Sequence, residues 1–332
     1  MNLATIEGGG PDGTLVVVSD DQRRMLLPAD GPRNLREALE TWETSRASLY
    51  AAAVALSEPG IGYPFEESFC LSPLPRTFLW AEGSCYLSHM ERIRGSRGQS
   101  LPPDHREAPL IYQSGGDANL RPLCDVELVD PTWDLDVEGT VVVYIDHIPR
   151  GASPDEAAAK IRLVGIANDF TYRGLIAKEY ARGAGFFRSK PARSFAPIVV
   201  ETRDLGASWS NGWISGEMHT TINQRLIGRP QADKDLQFSI GELLSYLALT
   251  RPLSAGSIVG TGTVSNHEAP DGLGCIAEER AEQLMASGTM TTSFLQAGDN
   301  LEIAFEVEGR RPFGAIRHRI VRLPKAADTT AA

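Results

Sequence analysis

The stretch WDLDVEGTVVVYIDHIPRGASPDEAAAKIRLVGIANDFTYR, residues 133–173, decides how the chain is organised. It opens with acids at alternate positions, Asp134, Asp136 and Glu138, and passes into the apolar run VVVYI at 141–145. Branched and aromatic side chains suit a pleated, enclosed surface, so the run reads as a buried strand. A helix start follows, with Ser153 as N-cap, Pro154 at the first helical position and Glu156 closing a capping box. Ala157, Ala158, Ile161 and Val164 fall on one side, and the pattern predicts a helix that runs out near Asn168 and Asp169, with Arg173 beyond it. One strand entry and one helix exit then each present a carboxylate. Two carboxylates on separate rigid elements suit a hard divalent cation held by oxygen. Solvated acids at element ends satisfy the same spacing.

Size and charge narrow the classes of function. The 332 residues are enough for two domains or one large one, and 42% hydrophobic content is ordinary for a globular chain. A net charge of −11 argues against nucleic-acid and anionic-membrane partners, which demand a basic face, but not against an anionic small molecule in a locally basic pocket. No apolar run approaches the roughly 20 residues of a membrane span. The opening MNLATIEGGGPDG lacks the basic and apolar regions of a signal peptide, so a cytoplasmic location is expected. Cys70, Cys85, Cys124 and Cys275 are scattered with no CxxC pair, which indicates neither a zinc knuckle nor a disulfide framework.

Outward from the central stretch, the chain divides into segments. Residues 1–30 read as a small β unit with strands at 14–19 and 24–28. Asn34 then caps a helix, with Glu37 at the capping-box position, that fades by Glu58, Pro59 and Gly60. Residues 1–66 are expected to form a small N-terminal domain, and 73–75 to mark a boundary before a larger domain over 75–322. The tail 323–332 is expected to be disordered. Residues 78–98 hold Glu82, Tyr86, His89, Arg92, Arg94 and Arg97, and the turn-rich residues 99–130 read as a long surface connection. Lys190 stands in an apolar setting before a strand at 198–201. Strand residues alternate with glycines in AGSIVGTGTVSNHE at 255–268, where glycine lets backbone approach a ligand or a neighbouring strand. Residues 274–288 read as a strand end or short helix, and 301–307 and 313–321 as closing strands. Many strands with a few separate helices make an α+β, β-rich chain, not a regular βαβ alternation.

Five segments together resemble the fumarylacetoacetate hydrolase family, in its two-domain bacterial form. They are GSCYLSHMERIRGSRG (83–98), DVEGTVVVYIDHIPRG (136–151), GIANDFTYRGL (165–175), SKPARSFAPIVV (189–200) and GTGTVSNHEAPDGLGCIAE (260–278). They occur in the family's order across about residues 75–320. The resemblance implies a β-sandwich roll with a small SH3-like N-terminal domain, a homodimer, and a divalent metal: Mg²⁺, Mn²⁺ or Ca²⁺. It puts the metal carboxylates on Glu82, Glu138 and Asp169, with Thr140 at a position where the family carries a further carboxylate. It puts the water-activating base on His89, its orienting acid on Glu278, and the groups that polarise substrate oxygens on Lys190 and Arg173. Tyr86, Arg97 and Thr263 fall on substrate-binding positions. Glu82 is one methylene longer than the family's usual Asp, and Ile176 replaces a frequent Gln.

The activity implied is hydrolytic cleavage of a carbon–carbon bond in a 1,3-dicarbonyl acid, an acylpyruvate or a fumarylacetoacetate-like compound. A lyase or isomerase on the same scaffold, such as a 2-oxo acid decarboxylase, hydratase or tautomerase, is the alternative. A non-catalytic binding subunit with a weakened metal site is the third. Residue types alone leave each site residue open: His89 reads equally as a structural histidine, Lys190 as a surface lysine, and Glu278 as part of a solvated charge run.

Overall fold

The strand Gly139–Ile145 is buried along its whole length. Val141, Val143 and Ile145 belong to one apolar cluster. Val142 and Tyr144 point the other way, into a second. A strand covered on both faces reads as a continuous apolar run instead of an alternating one, which is why VVVYI stood out. In the computed structural model, which describes residues 1–323 except Ala118, Ala184, Asn211 and Ala269, this strand lies near the middle of the main sheet. The tail expected to be disordered lies, from Pro324 onward, outside the described residues.

Its partner differs from the expectation. The helix begins at the capping box, where Glu156 accepts the Ser153 N–H at 2.9 Å, but it spans only Pro154–Ala158. Residues Ile161–Asn168 form a strand, antiparallel to Gly139–Ile145, with Gly139 opposite Asn168. The spacing of Ile161 and Val164 matched a helical face, but tertiary pairing of the β-branched run decides the outcome. Gly165 marks the reason: a Cβ there would come within 3.2 Å of Val199, so the sheet is tight at that point. Asp169 therefore leaves a strand end, and Glu138 and Asp169 flank the same end of one hairpin.

Among the described residues, twelve strands form the main sheet. Its path runs Tyr63–Pro64, Arg24–Leu26, Thr14–Val18, Asn2–Ile6, Ile198–Glu201, Ile161–Asn168, Gly139–Ile145, Ile258–Thr263, Trp80–Gly83 and Ile111–Ser114. The N-terminal strands thus continue the same sheet that carries the central hairpin. A second sheet of five strands runs Arg225–Gly228, Glu217–Ile222, Asn300–Glu306, Ala315–Arg322 and Leu123–Leu128. Its Met218, Ile303, Phe305, Ile316 and Ile320 share a core with Val141 and Val143. Residues 99–130 are more than a surface connection, since Ile111–Ser114, Asn119–Leu120 and Leu123–Leu128 all pair into sheets.

Helices α1 (Leu35–Glu40) and α2 (Trp42–Ser57) break at Thr41 and cover the other face, where Leu49, Ala52 and Leu56 meet Val142 and Tyr144 in one cluster. Helix α3 (Leu87–Gly95) follows the strand Trp80–Gly83; α4 is the short Pro154–Ala158 and α5 is Arg173–Tyr180. Helix α6 (Ile240–Leu247) packs on α4, and α7 (Ile276–Ser287), longer than the sequence suggested, packs on α3. No helix among the described residues is long and apolar enough to cross a membrane.

One buried histidine ties acid stability to the second sheet. His318 is 4% exposed, its Nδ1 donates to the Cys124 carbonyl at 2.9 Å, and its Nε2 has no partner among the described residues. Burial pushes its pKa from 6.5 down to about 4, against that hydrogen bond. Between those values the unfolded chain binds the extra proton and the folded one does not, so stability falls as pH drops through 6.5 toward 4. At about 1.4 kcal/mol per pH unit, His318 accounts for about 2 kcal/mol of loss between pH 7 and 5. Urea midpoints at the two pH values should differ less in His318→Leu than in the parent, and equal differences would rule the assignment out.

Candidate functional site

The end of the central hairpin sets two of the acids. The Asp169 N–H donates to the Glu138 carbonyl and the Glu138 N–H to the Asn168 side chain, both at 2.9 Å. Two backbone positions are thereby locked one across from the other. Glu82 arrives from Trp80–Gly83, which runs parallel to Ile258–Thr263 with Glu82 opposite Gly260. A Cβ on Gly260 would lie 3.2 Å from both Glu82 Oε1 and Thr140 Oγ1, so glycine keeps this space open. Gly262 has φ +95°, and a Cβ there would press against the Gly83 carbonyl at 2.2 Å. The alternating glycines of 260–263 therefore do allow the close strand approach expected of them. Glu82, Glu138 and Asp169, all buried, converge so that one oxygen from each lies within 4.8 Å of the others.

Cations offset the buried charge. Lys190 Nζ donates at 2.5 Å to Glu138 Oε2 and to Asp169 Oδ2, and sits 5.1 Å from the centre of the Tyr112 ring. Tyr112 also donates its hydroxyl to Asp169 Oδ2. Arg173, in the first turn of α5, donates to Asp136 Oδ2 at 2.9 Å and to Glu138 Oε1 at 2.5 Å. Burial opposes ionisation of Glu138, but Arg173, Lys190 and His89 outweigh it and hold that carboxyl well below the usual range. Burial also opposes the charge on Lys190, yet Asp169, Glu138 and Glu82 raise its pKa. Burial, then the Asp169 charge, push the Glu82 pKa well up, and the Lys190 charge only partly opposes them.

Glu82 Oε1 and Asp169 Oδ1 are buried with no hydrogen-bond partner among the described residues. Native interiors rarely leave carboxylate oxygens orphaned. Two such atoms beside a third carboxylate fit a hard dication held by Glu82, Glu138 and Asp169. Thr140 lies on the Glu82 side, where its Oγ1 accepts the Gly262 N–H at 3.1 Å. Asp136, two residues before Glu138, turns away from the cluster: besides Arg173 it accepts the N–H groups of Ile276 and Ala277 at 2.9 and 3.0 Å, at the start of α7.

Helices α3 and α7 supply a dyad. His89 Nδ1 stands 2.8 Å from Glu278 Oε1, and its Nε2 faces Glu138 Oε1 at 3.7 Å. Glu278 is fully buried in the first turn of α7 and accepts the Gly274 N–H at 2.6 Å. A cavity of about 1220 Å³ opens from Glu82, Glu138 and Lys190 past His89 toward the surface. Arg94, Arg97, Tyr180 and Phe186 line it, with Ile176 and Thr263. Arg97 is exposed, in the turn after α3, and Arg94 one helical turn earlier is partly buried. Thr263 pairs with Thr140 across the strands. Tyr86 borders the cavity, but its hydroxyl is committed to the Ala232 carbonyl at 2.7 Å.

Sequence reasoning missed Tyr112, hidden in the turn-rich segment, and the role of Asp136. It missed Arg193 as well, 2% exposed, whose Nε lies 3.9 Å from Asp169 Oδ1. The alternation of Asp134, Asp136 and Glu138 signalled one of these; nothing local signalled the other two.

Comparisons with known proteins bear on the family and the fold. The family model described as fumarylacetoacetate (FAA) hydrolase C-terminal matches residues 79–321, and that described as fumarylacetoacetase N-terminal domain 2 matches residues 1–76. Oxaloacetate tautomerase YisK of Bacillus subtilis is 27% identical over 192 residues, 57% of this chain and 53% of that protein. The fold matches 5-carboxymethyl-2-hydroxymuconate delta-isomerase from Mycobacterium smegmatis with TM-score 0.61 and 19% identity, over 98% of this chain and 100% of that one. It matches maleylpyruvate hydrolase from Sphingobium sp. SYK-6, solved with manganese(II) and pyruvate, with TM-score 0.65 and 17% identity, over 97% and 99%.

The ammonium shared by Glu138 and Asp169 can be tested apart from any activity. Lys190→Met leaves two buried carboxylates without their common cation, which should cost about 3–5 kcal/mol in metal-free protein. Mn²⁺ should then raise the melting temperature of the variant more than that of the parent. Equal Mn²⁺-dependent gains would mean the dication does not bind between these acids.

Proposed function

Because this chain belongs to the fumarylacetoacetate hydrolase family, we propose that it is a divalent-metal enzyme that hydrolyses a carbon–carbon bond of a 1,3-dicarbonyl acid. The observation that carries the reading is the His89–Glu278 dyad, with the other imidazole nitrogen 3.7 Å from Glu138, which sits in one cluster with the orphaned oxygens of Glu82 and Asp169. Mg²⁺, Mn²⁺ or Ca²⁺ held by Glu82, Glu138 and Asp169 would act as a Lewis acid toward the substrate's oxygens. His89 Nε2 takes a proton from water. Glu278 holds the Nδ1 proton in place and stabilises the imidazolium that forms. Lys190 and Arg173 are fixed cationic donors for the charge that develops on oxygen, each worth roughly 3–4 kcal/mol when well placed. Arg97 and Thr263 bind the carboxylate end of the substrate, and Tyr86 shapes the cavity wall.

A second reading is tautomerisation of a 2-oxo acid, favoured by the 27% identity to the Bacillus subtilis tautomerase. The same base would then move a proton between carbon and oxygen without breaking the chain of carbons. By family likeness we extend the proposal to a cytoplasmic homodimer, with residues 1–66 as a small SH3-like domain beside a catalytic domain over 75–322.

Purified protein loaded with Mn²⁺ or Mg²⁺ and given an acylpyruvate should release pyruvate. Equilibration of enol and keto oxaloacetate without pyruvate release would favour the second reading. In either assay His89→Ala should lower kcat by roughly 10²-fold or more, the range for lost general-base catalysis. Adding Glu278→Gln to it should cost little further, because the two act as a unit. Near-native turnover by His89→Ala would sink both readings.

A further inference from the structure

Sequence spacing offers no Cys/His cluster, yet the fold assembles one. His89, Cys275 and Glu278 each present a ligand atom, and the three lie within 4.8 Å of one another. Cys275 is the N-cap residue of α7, with its side chain making no capping bond, and Glu278 follows in the first turn. His89 comes across from α3. Nitrogen, sulfur and oxygen make a softer donor set than the three carboxylates of the neighbouring cluster, and thiolate with imidazole selects zinc-like ions over magnesium or calcium. Tetrahedral zinc, with bonds near 2.0–2.3 Å, spaces its ligand atoms about 3.3–3.7 Å apart. All three ligand atoms lie within 4.8 Å of one another, and the 2.8 Å His89–Glu278 hydrogen bond would open to that spacing as the ion enters.

The surroundings favour added positive charge. Asp136, Glu138 and Glu278 surround the thiol, and burial, then Asp136 and Glu278, push the Cys275 pKa well up, with the Arg173 nitrogen 3.5 Å from Sγ opposing them, so a dication has to displace the thiol proton to bind. The cavity reaches His89, whose side chain is 16% exposed, so an ion has a way in although Cys275 and Glu278 lie fully buried behind it.

We propose that His89, Cys275 and Glu278 form a second cation site, for a thiophilic dication such as Zn²⁺, and that filling it removes His89 from proton transfer. On binding, the thiol proton leaves to solvent and the imidazole proton moves from Nδ1 to Nε2. The site itself stands without the role proposed for His89; only the block of turnover rests on that role.

Co²⁺ titration of the full chain in excess Mg²⁺ tests the site, because a thiolate ligand gives a sulfur-to-cobalt charge-transfer band in the near ultraviolet. One equivalent should saturate the band in the parent. The band should vanish in Cys275→Ala, and in Cys275→Ser if the alanine variant does not fold, as judged by circular dichroism. Calorimetry should show Zn²⁺ affinity at least tenfold weaker in Cys275→Ser, with Mn²⁺ affinity unchanged. No band in the parent, or a band that survives removal of Cys275, overturns the site. Zn²⁺ that binds with this signature but leaves turnover untouched overturns the block, and the assignment of His89 as base with it.

Discussion

Buried negative charge is the constraint on which the centre of this molecule depends. Glu82, Asp136, Glu138 and Asp169 are all enclosed, with at most 4% of their surface exposed. Isolated carboxylates in such a place would cost several kcal/mol each after relaxation. The fold answers by bringing Lys190 and Arg173 between them and by aiming backbone N–H groups at Asp136. Two carboxylate oxygens, on Glu82 and Asp169, remain without a hydrogen-bond partner among the described residues. Structure and chemistry meet at that shortfall: what is left unsatisfied by the protein is what a cation bound there would satisfy.

The strand elements near the site do their work through geometry more than through stability. The hairpin end holds Glu138 and Asp169 in fixed register, and the Gly260 and Gly262 backbone makes room for Glu82 from a parallel neighbour. Asp136 links two of these parts, because it grips Arg173 on one side and the start of α7 on the other. The helix that carries Glu278 is therefore anchored to the segment that leads through Glu138 into the central strand.

Much of this was legible before any coordinates. VVVYI announced a buried strand because both of its faces are covered, and the capping box at Ser153 marked a real helix start. The β-rich α+β class and the family followed from strand density and from the quoted motifs. The end of the helix that starts at Ser153 was misread, because Ile161 and Val164 suit a helical face locally while pairing with Ile145 and Val143 decides them as strand. Tyr112 and Cys275 were invisible for a related reason. Their importance comes from partners far along the chain, Asp169 and His89, and no local spacing encodes a contact made only in three dimensions.

The His89–Glu278 pair spans 189 residues of chain. Contacts of such separation are the slow ones to form, since closing a long loop costs entropy before any contact repays it. During synthesis, α3 emerges and can fold long before α7 exists. An elongating chain thus carries its imidazole unpartnered until nearly the whole domain has left the ribosome. The His89–Glu278 pair is thus among the last contacts to form, and a chain cut between Thr263 and residue 278 would keep all twelve described strands of the main sheet while lacking the acid that pairs with His89.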